Sequence, residues 1–415
     1  MGKKKVLVAI DKFKGSLTSL EAAQAVCRGF ESACPGECEF RIIEIADGGD
    51  GSLDVLEKRL GGAERVAVKV HNPIGEVVDS EILVYPESDN CGLSAFIEMA
   101  KVSGLEMLSK TQRNPLHTST YGLGEAIMEA IGKGAGTITL SIGGSATNDG
   151  GAGMLQALGY RFYNGAGSLM EAPVCGGDLH GIARMERPFG IAAMNGVEPR
   201  EAFTDWSQVR FKVICDVTNP LLGEFGATAV YGPQKGADEE ALKILEAGLA
   251  NYAKVAESCL DIAEGCKEHP GAGAAGGVGY AGLAFLNAEL VPGWKFFAEI
   301  TSLEESVQWA DLVITGEGSL DSQSLSGKVV SGVLELASLY GKRAIIFCGV
   351  SKMPQEELHA AMCKDLSGGI LEKKEEWVKQ VRCCSIASLG YPLEICMGRA
   401  SGLLEQLAQD EAKLL

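Results

Sequence analysis

Short apolar runs alternate along this chain with stretches whose apolar positions recur at helical spacing. VLVAI (6–10), IIEI (42–45), TITLSI (137–142), VIC (213–215), LVIT (312–315) and AIIF (344–347) are mostly β-branched and predict strands. Between Asp238 and Val255, Leu242, Leu245, Leu249 and Tyr252 fall on one helical face. Such alternation predicts an α/β fold with a mostly parallel sheet and crossover helices. The turn signals His71-Asn-Pro-Ile-Gly75 and Val291-Pro-Gly293 suggest one domain inserted in another, with residues 1–71 and 293–415 in the first and 72–292 in the second.

Several of these strands end in polar, glycine-rich turns. TITLSI runs into GGSATNDGGAG (143–153) and then a helical pattern. Unpaired N–H groups and the macrodipole at a helix start attract anions, and glycines let a ligand approach the main chain. A tight connection between strand and helix would use the same residues. The layout recurs, however: RIIEIADGGDGS precedes the helical DVLEKRL, and KKVLVAIDKFKGSLTS precedes a helix that Thr18 and Glu21 would cap. KVICDVTNPLLG and LVITGEGSLDSQSLSGK are further cases. Ligands of open α/β sheets bind beyond the carboxyl ends of the strands, which is where Asp11, Asp47, Asp149, Asp216 and Glu317 fall.

Composition narrows the partners. A formal charge of −18 argues against nucleic acid and anionic membrane, and an anionic ligand would need a local cluster of Lys, backbone N–H groups and a divalent metal. Lys12, Lys14, Lys235 and Lys328 are the lysines inside glycine-rich motifs. The 54 glycines are roughly twice the usual share of about 7%, and they gather at strand ends and turns. Thirteen cysteines with no paired Cys/His spacing read as free thiols of a reducing, cytoplasmic compartment, not as a zinc site. The start of the chain reads as a strand, not as a secretory signal, and no stretch suits a membrane span.

Some motifs mislead. Gly271-Ala-Gly-Ala-Ala-Gly276 matches a dinucleotide fingerprint by letter, but no strand precedes it, so a close-packed helix start or a phosphate-facing loop is the better reading. Gly327-Lys328 is followed by Val329 and has no P-loop spacing, and no G-x-S-x-G elbow exists.

The ordered set DKFKGSLTS (11–19), ADGGDGS (46–52), GGSATNDGGAGMLQALG (143–159), CDVTNPLLG (215–223), YGPQKGA (231–237), PGAGAAGGVG (270–279) and TGEGSLDSQSLSGK (315–328) resembles the bacterial glycerate kinase family. That resemblance implies two α/β domains, a glycine-loop-rich one inserted in a Rossmann-like one. It implies ATP-dependent phosphorylation of glycerate, commonly at the 2-hydroxyl, with Mg²⁺. This chain is longer than usual for the family, with residues 173–206 between motifs.

Given the resemblance, roles can be assigned as expectations. ATP phosphates would lie on Gly143, Gly144, Ser145, Asn148, Asp149, Gly150 and Gly151, with Gly273 and Gly276 of the other loop as the competing cradle. Mg²⁺ would take carboxylates from Asp47, Asp216 and Glu317. Asp47 or Asp216 would accept the hydroxyl proton, and Lys14 would stabilise charge on the transferred group. Lys12, Ser16, Asn219, Lys235 and Asp321 are the substrate-binding candidates. A kinase of another small hydroxy acid and a nucleotide-binding regulator without turnover are the alternatives, and a homodimer is left open.

Overall fold

The computed structural model describes residues 2–45, 51–87, 92–188, 208–260, 262–325, 328–365 and 374–414. Its strands are β1 (Lys4–Ile10), β2 (Cys38–Ile42), β3 (Glu64–His71), β4 (Val77–Pro86), β5 (Leu93–Glu98), β6 (Ala135–Ser141) and β7 (Arg161–Asn164). They continue with β8 (Ile182–Glu186), β9 (Arg210–Ile214), β10 (Glu289–Val291), β11 (Leu312–Leu320), β12 (Arg343–Ser351) and β13 (Arg382–Ser385). The chain divides into two compact units, one of residues 1–47 and 292–415, the other of residues 48–291. The mixed α/β class is as the strand and helix patterns predict.

In the first unit five strands run parallel in the order β13-β12-β11-β1-β2. Val6 to Ile10 are fully buried, as a central parallel strand covered on both faces requires. Helix Ser19–Ala33 starts with the Thr18/Glu21 capping box foreseen from sequence, Thr18 N–H donating to Glu21 Oε2 at 2.8 Å. It lies close against helix Ala400–Ala412, so close that a Cβ on Gly29 would sit 2.3 Å from the Glu405 carbonyl. The apolar run IIEI overshoots its strand: β2 ends at Ile42, and Ile43 continues with one bond to the Val8 carbonyl.

The second unit holds a six-stranded sheet, β10-β9-β6-β5-β4-β3. β10, β9, β6 and β5 are mutually parallel, whereas β4 and β3 form an antiparallel edge. Residues 48–71, which the turn signals group with the first unit, include β3, and β3 pairs along its length with β4. Helix Glu239–Leu260 confirms the 238–255 periodicity and extends it, burying Leu245, Leu249 and Tyr252. Among the described residues no helix is long and apolar enough to cross a membrane.

Candidate active site

The β6 strand delivers the chain to the carboxyl edge of the second sheet. There Gly143 and Gly144 are exposed, and the residues from Ser145 to Asp149 turn inward and are buried. Gly144 has φ +71°, a conformation that favours glycine. The turn is fastened from the side: Leu105 N–H donates to the Gly144 carbonyl at 2.8 Å and Ala146 N–H to Ser103 at 2.9 Å.

Asp149 is wholly buried and organises the far side of this turn. Its Oδ2 accepts Thr120 N–H at 2.8 Å, Thr120 Oγ1 at 2.7 Å and Gly153 N–H at 3.2 Å. Its Oδ1 accepts Gly151 N–H at 3.2 Å. Burial pushes the Asp149 carboxyl up, and these donors pull it back. Ala152 N–H goes to the Asp149 carbonyl, Met154 N–H to Thr120 Oγ1 and Gly150 N–H to the Gly276 carbonyl, all at 2.9 Å. The N–H groups at the start of helix Ala152–Ala157 are therefore taken up inside the protein. What the loop turns outward is Gly143 and Gly144.

Asn148 is likewise buried, its Nδ2 donating to Thr228 Oγ1 at 3.0 Å. Its Oδ1 and the Thr147 hydroxyl have no hydrogen-bond partner among the described residues. Lys235 is only 2% exposed, and its Nζ donates to Ser145 Oγ at 2.9 Å and to the Thr147 carbonyl at 2.6 Å. Burial lowers its pKa to about 7, against the attraction of Asp149.

The glycines of the 271–277 loop serve close packing. A Cβ on Gly276 would lie 2.1 Å from the Thr147 carbonyl, and one on Gly273 2.1 Å from that of Pro220. Gly271 and Gly273 donate to the Asn219 carbonyl at 3.2 and 2.9 Å. The Asn219 side chain is equally engaged, donating to the Phe225 carbonyl and accepting from Tyr231 Oη, each at 2.7 Å. Asp216, two residues past the end of β9, is half-buried.

One carboxylate escapes a search for glycine-rich motifs. Glu98 closes β5, opposite Ser141 of β6, is 1% exposed, and accepts Leu53 N–H on Oε1 at 2.7 Å. Leu53 stands in the first turn of helix Ser52–Arg59, just after the ADGGDGS motif. Its place at the end of an apolar strand was the available signal. β9, β6 and β5 are adjacent and parallel, so Glu98 at the end of β5 and Asp216 just past the end of β9 mark the ends of the two strands that flank the Gly143 turn.

In the first unit, the carboxyl ends of β1, β11 and β12 bring another set together. Asp11 Oδ1 accepts its neighbour's Lys12 N–H at 2.7 Å, and Ser16 Oγ donates to the Phe13 carbonyl at 3.2 Å within the turn that carries exposed Lys14. Gly318 of β11 lies against that turn, where a Cβ would be 3.1 Å from Phe13 Cα and 3.2 Å from Lys14 N. Glu317, half-buried, is one residue before it. Asp321 pairs with Lys352 Nζ at 3.3 Å. Asp47 and Asp50 lie outside the described residues. Among the described residues no group of three or more His, Cys, Asp or Glu gathers as a metal cluster.

The glycerate kinase family model matches residues 6–414. The chain is 42% identical over 344 residues to a glycerate kinase of Halalkalibacterium halodurans, covering 83% of this chain and 85% of that protein. It is 41% identical over 345 residues to a glycerate 2-kinase of Escherichia coli K12, with the same coverages of 83% and 85%. The crystal structure of a Salmonella typhimurium LT2 protein assigned as glycerate kinase 2 superposes with a TM-score of 0.73 at 34% identity, over 100% of this chain and 98% of that one.

Proposed function

From the membership of this chain in the glycerate kinase family, and hence among ATP-dependent kinases, we propose that it phosphorylates D-glycerate, giving phosphoglycerate and ADP. The 2-hydroxyl is the favoured acceptor, in keeping with the relative named glycerate 2-kinase. The observation that carries the reading is the exposed Gly143–Gly144 edge, with Glu98 and Asp216 at the ends of the neighbouring strands β5 and β9. Phosphoryl transfer asks for positioning and charge neutralisation, and those are what such an edge supplies.

In this reading the main chain of Gly143 and Gly144 faces the ATP phosphates, with Ser145 directly behind it. Asp149, Asn148, Gly150 and Gly151 hold that edge in shape from within, as Gly273 and Gly276 do from the adjoining loop. Asp216 accepts the proton of the attacking hydroxyl, or Asp47 does, as the new oxygen–phosphorus bond forms and the bond to ADP breaks. Lys14, exposed on its turn, stabilises the charge that spreads over the transferred group, and Lys12 takes the carboxylate of the acid. Ser16, Asn219 and Asp321 are the further substrate-side candidates. Mg²⁺ needs only one or two carboxylates besides phosphate and water oxygens, and half-buried Asp216 and Glu317 suit it as hard oxygen donors, with Asp47 as the third candidate. When bound it neutralises phosphate charge.

A phosphorus NMR spectrum of the product from D-glycerate and ATP tests this directly. A phosphomonoester on the 2-carbon is expected. ATP left intact in the presence of D-glycerate and Mg²⁺ refutes the reading, and a signal from the 3-phosphate corrects the regiochemistry.

A further inference from the structure

Lys235 combines two properties that are costly together. Its ammonium is removed from water, and among the described residues no carboxylate forms an ion pair with it. A buried charge without a counter-ion is unfavourable by several kcal/mol unless its donors are used well. Both of its hydrogen bonds go to one short turn, one to the Ser145 side chain and one to the Thr147 main chain. That turn is the inner half of the loop whose outer half is Gly143 and Gly144.

Gly276 also packs against the Thr147 carbonyl, where no side chain fits. The loop is thus held by Lys235 and packed on the 276 backbone, with Ser103 and Leu105 fixing its edge. A glycerate carboxylate reaching Nζ would have to displace Ser145 or Thr147, since 2% exposure leaves no path beside them.

We infer that Lys235 is a positioning residue for the ATP phosphates, holding the Ser145–Thr147 turn in shape through its two hydrogen bonds, and that it does not bind glycerate. This rests on the reading of the Gly143–Gly144 edge as phosphate-facing. It predicts a separation of effects, because the loss of Lys235 alters the nucleotide side and leaves the acid side alone.

The experiment compares the full-length wild type with Lys235→Met, which keeps volume but removes the charge and both donors. Calorimetric titration with a non-hydrolysable ATP analogue and Mg²⁺, without glycerate, reads binding independently of turnover. The variant is expected to bind at least about tenfold more weakly, with KM for glycerate within about twofold of wild type. Lys235→Arg, which restores charge and donors, should recover part of the loss. Unchanged analogue affinity in Lys235→Met overturns the inference, and so does a raised glycerate KM with analogue affinity intact. Should Lys235→Met fail to fold by circular dichroism, Ser145→Ala takes its place, removing the acceptor at the turn; undiminished affinity there overturns the inference equally. A wild type that binds the analogue but does not phosphorylate glycerate refutes the proposed reaction while leaving this test of the turn in force.

Discussion

Asp149 and Thr120 are joined twice, the Asp149 Oδ2 accepting both the backbone N–H of Thr120 at 2.8 Å and its hydroxyl at 2.7 Å. Thr120 immediately precedes helix Tyr121–Gly132, and Asp149 stands two residues before Gly151, the N-cap of helix Ala152–Ala157. One carboxylate therefore ties the starts of two helices beneath the glycine loop. All its partners are donors, so an amide in its place would turn an N–H₂ group towards N–H and O–H. Asp149→Asn should lose at least about 1–3 kcal/mol of stability, the penalty for leaving buried donors unmet. Urea denaturation midpoints for the two proteins check it, and equal midpoints would show that the network is dispensable.

Gly276 offers a purely steric test. Its φ is +69°, and a Cβ would fall 2.1 Å from the Thr147 carbonyl and 2.7 Å from Asn148 Cα. Both neighbours are backbone and neither can rotate away. Gly276→Ala should destabilise by about 3 kcal/mol or more and depress nucleotide affinity, because the strained loop carries the proposed phosphate edge. Gly136→Ala, with open space around it, is the control and should melt within a few degrees of wild type. Similar melting temperatures for both variants would contradict the close packing.

The strand ends were readable in advance because buried parallel strands demand continuous apolar runs, which no loop imitates. VLVAI falls within β1 and TITLSI overlaps β6 up to Ser141 for that reason, and glycines after β6 marked the loop. What letters do not carry is the direction of a side chain. Asp149 looks like a ligand residue in GGSATNDGG, yet its carboxylate turns inward to Thr120, some 29 positions away in the chain. Glu98 was missed by the same reasoning: it ends an apolar strand without a glycine, and its partner Leu53 is 45 positions distant. Lys235 shows the complementary case, a lysine in a glycine-rich motif whose charge is folded into the interior.

Glu98 can be separated into a shape role and a charge role. Glu98→Gln keeps an oxygen that can accept Leu53 N–H, whereas Glu98→Ala leaves that N–H unmet at the start of helix Ser52–Arg59. If Glu98 positions the segment after the acidic ADGGDGS motif, Gln should retain kcat within about threefold while Ala loses about tenfold or more. Equal losses in both, with an increased Mg²⁺ requirement, would mean that the carboxylate charge itself is used. Steady-state kinetics across a Mg²⁺ titration distinguishes the two.

The proposed chemistry makes Asp216 and Lys14 the most sensitive of the described side chains. Asp216 is half-buried beyond β9 and Lys14 is exposed, so neither substitution opens a core cavity. Asp216→Asn and Lys14→Ala should each lower kcat by about tenfold or more, with melting temperatures within a few degrees of wild type. Turnover at the wild-type level in both variants would remove these residues from the reaction.

Lys235 also leaves a mark on stability against pH. Its pKa falls from 10.5 to about 7 in the folded protein, chiefly through burial, with Asp149 as the charge that opposes the shift. Below pH 7 both folded and unfolded chains hold the proton, and the folded state bears the full penalty of a buried ammonium. Between about 7 and 10.5 the unfolded chain binds one more proton than the folded one, so stability from this group rises with pH across that window. Lys235→Met abolishes this term at every pH. The lost hydrogen bonds to Ser145 and Thr147 subtract a pH-independent amount, so the absolute difference between the proteins is less informative than its slope. Wild type should therefore gain on the variant by roughly 1.4 kcal/mol per pH unit between pH 7.5 and 9.5, read from urea midpoints. A difference that stays flat across that range would mean that Lys235 keeps its proton in the folded state, and its two acceptors would then stabilise the ammonium far better than burial destabilises it.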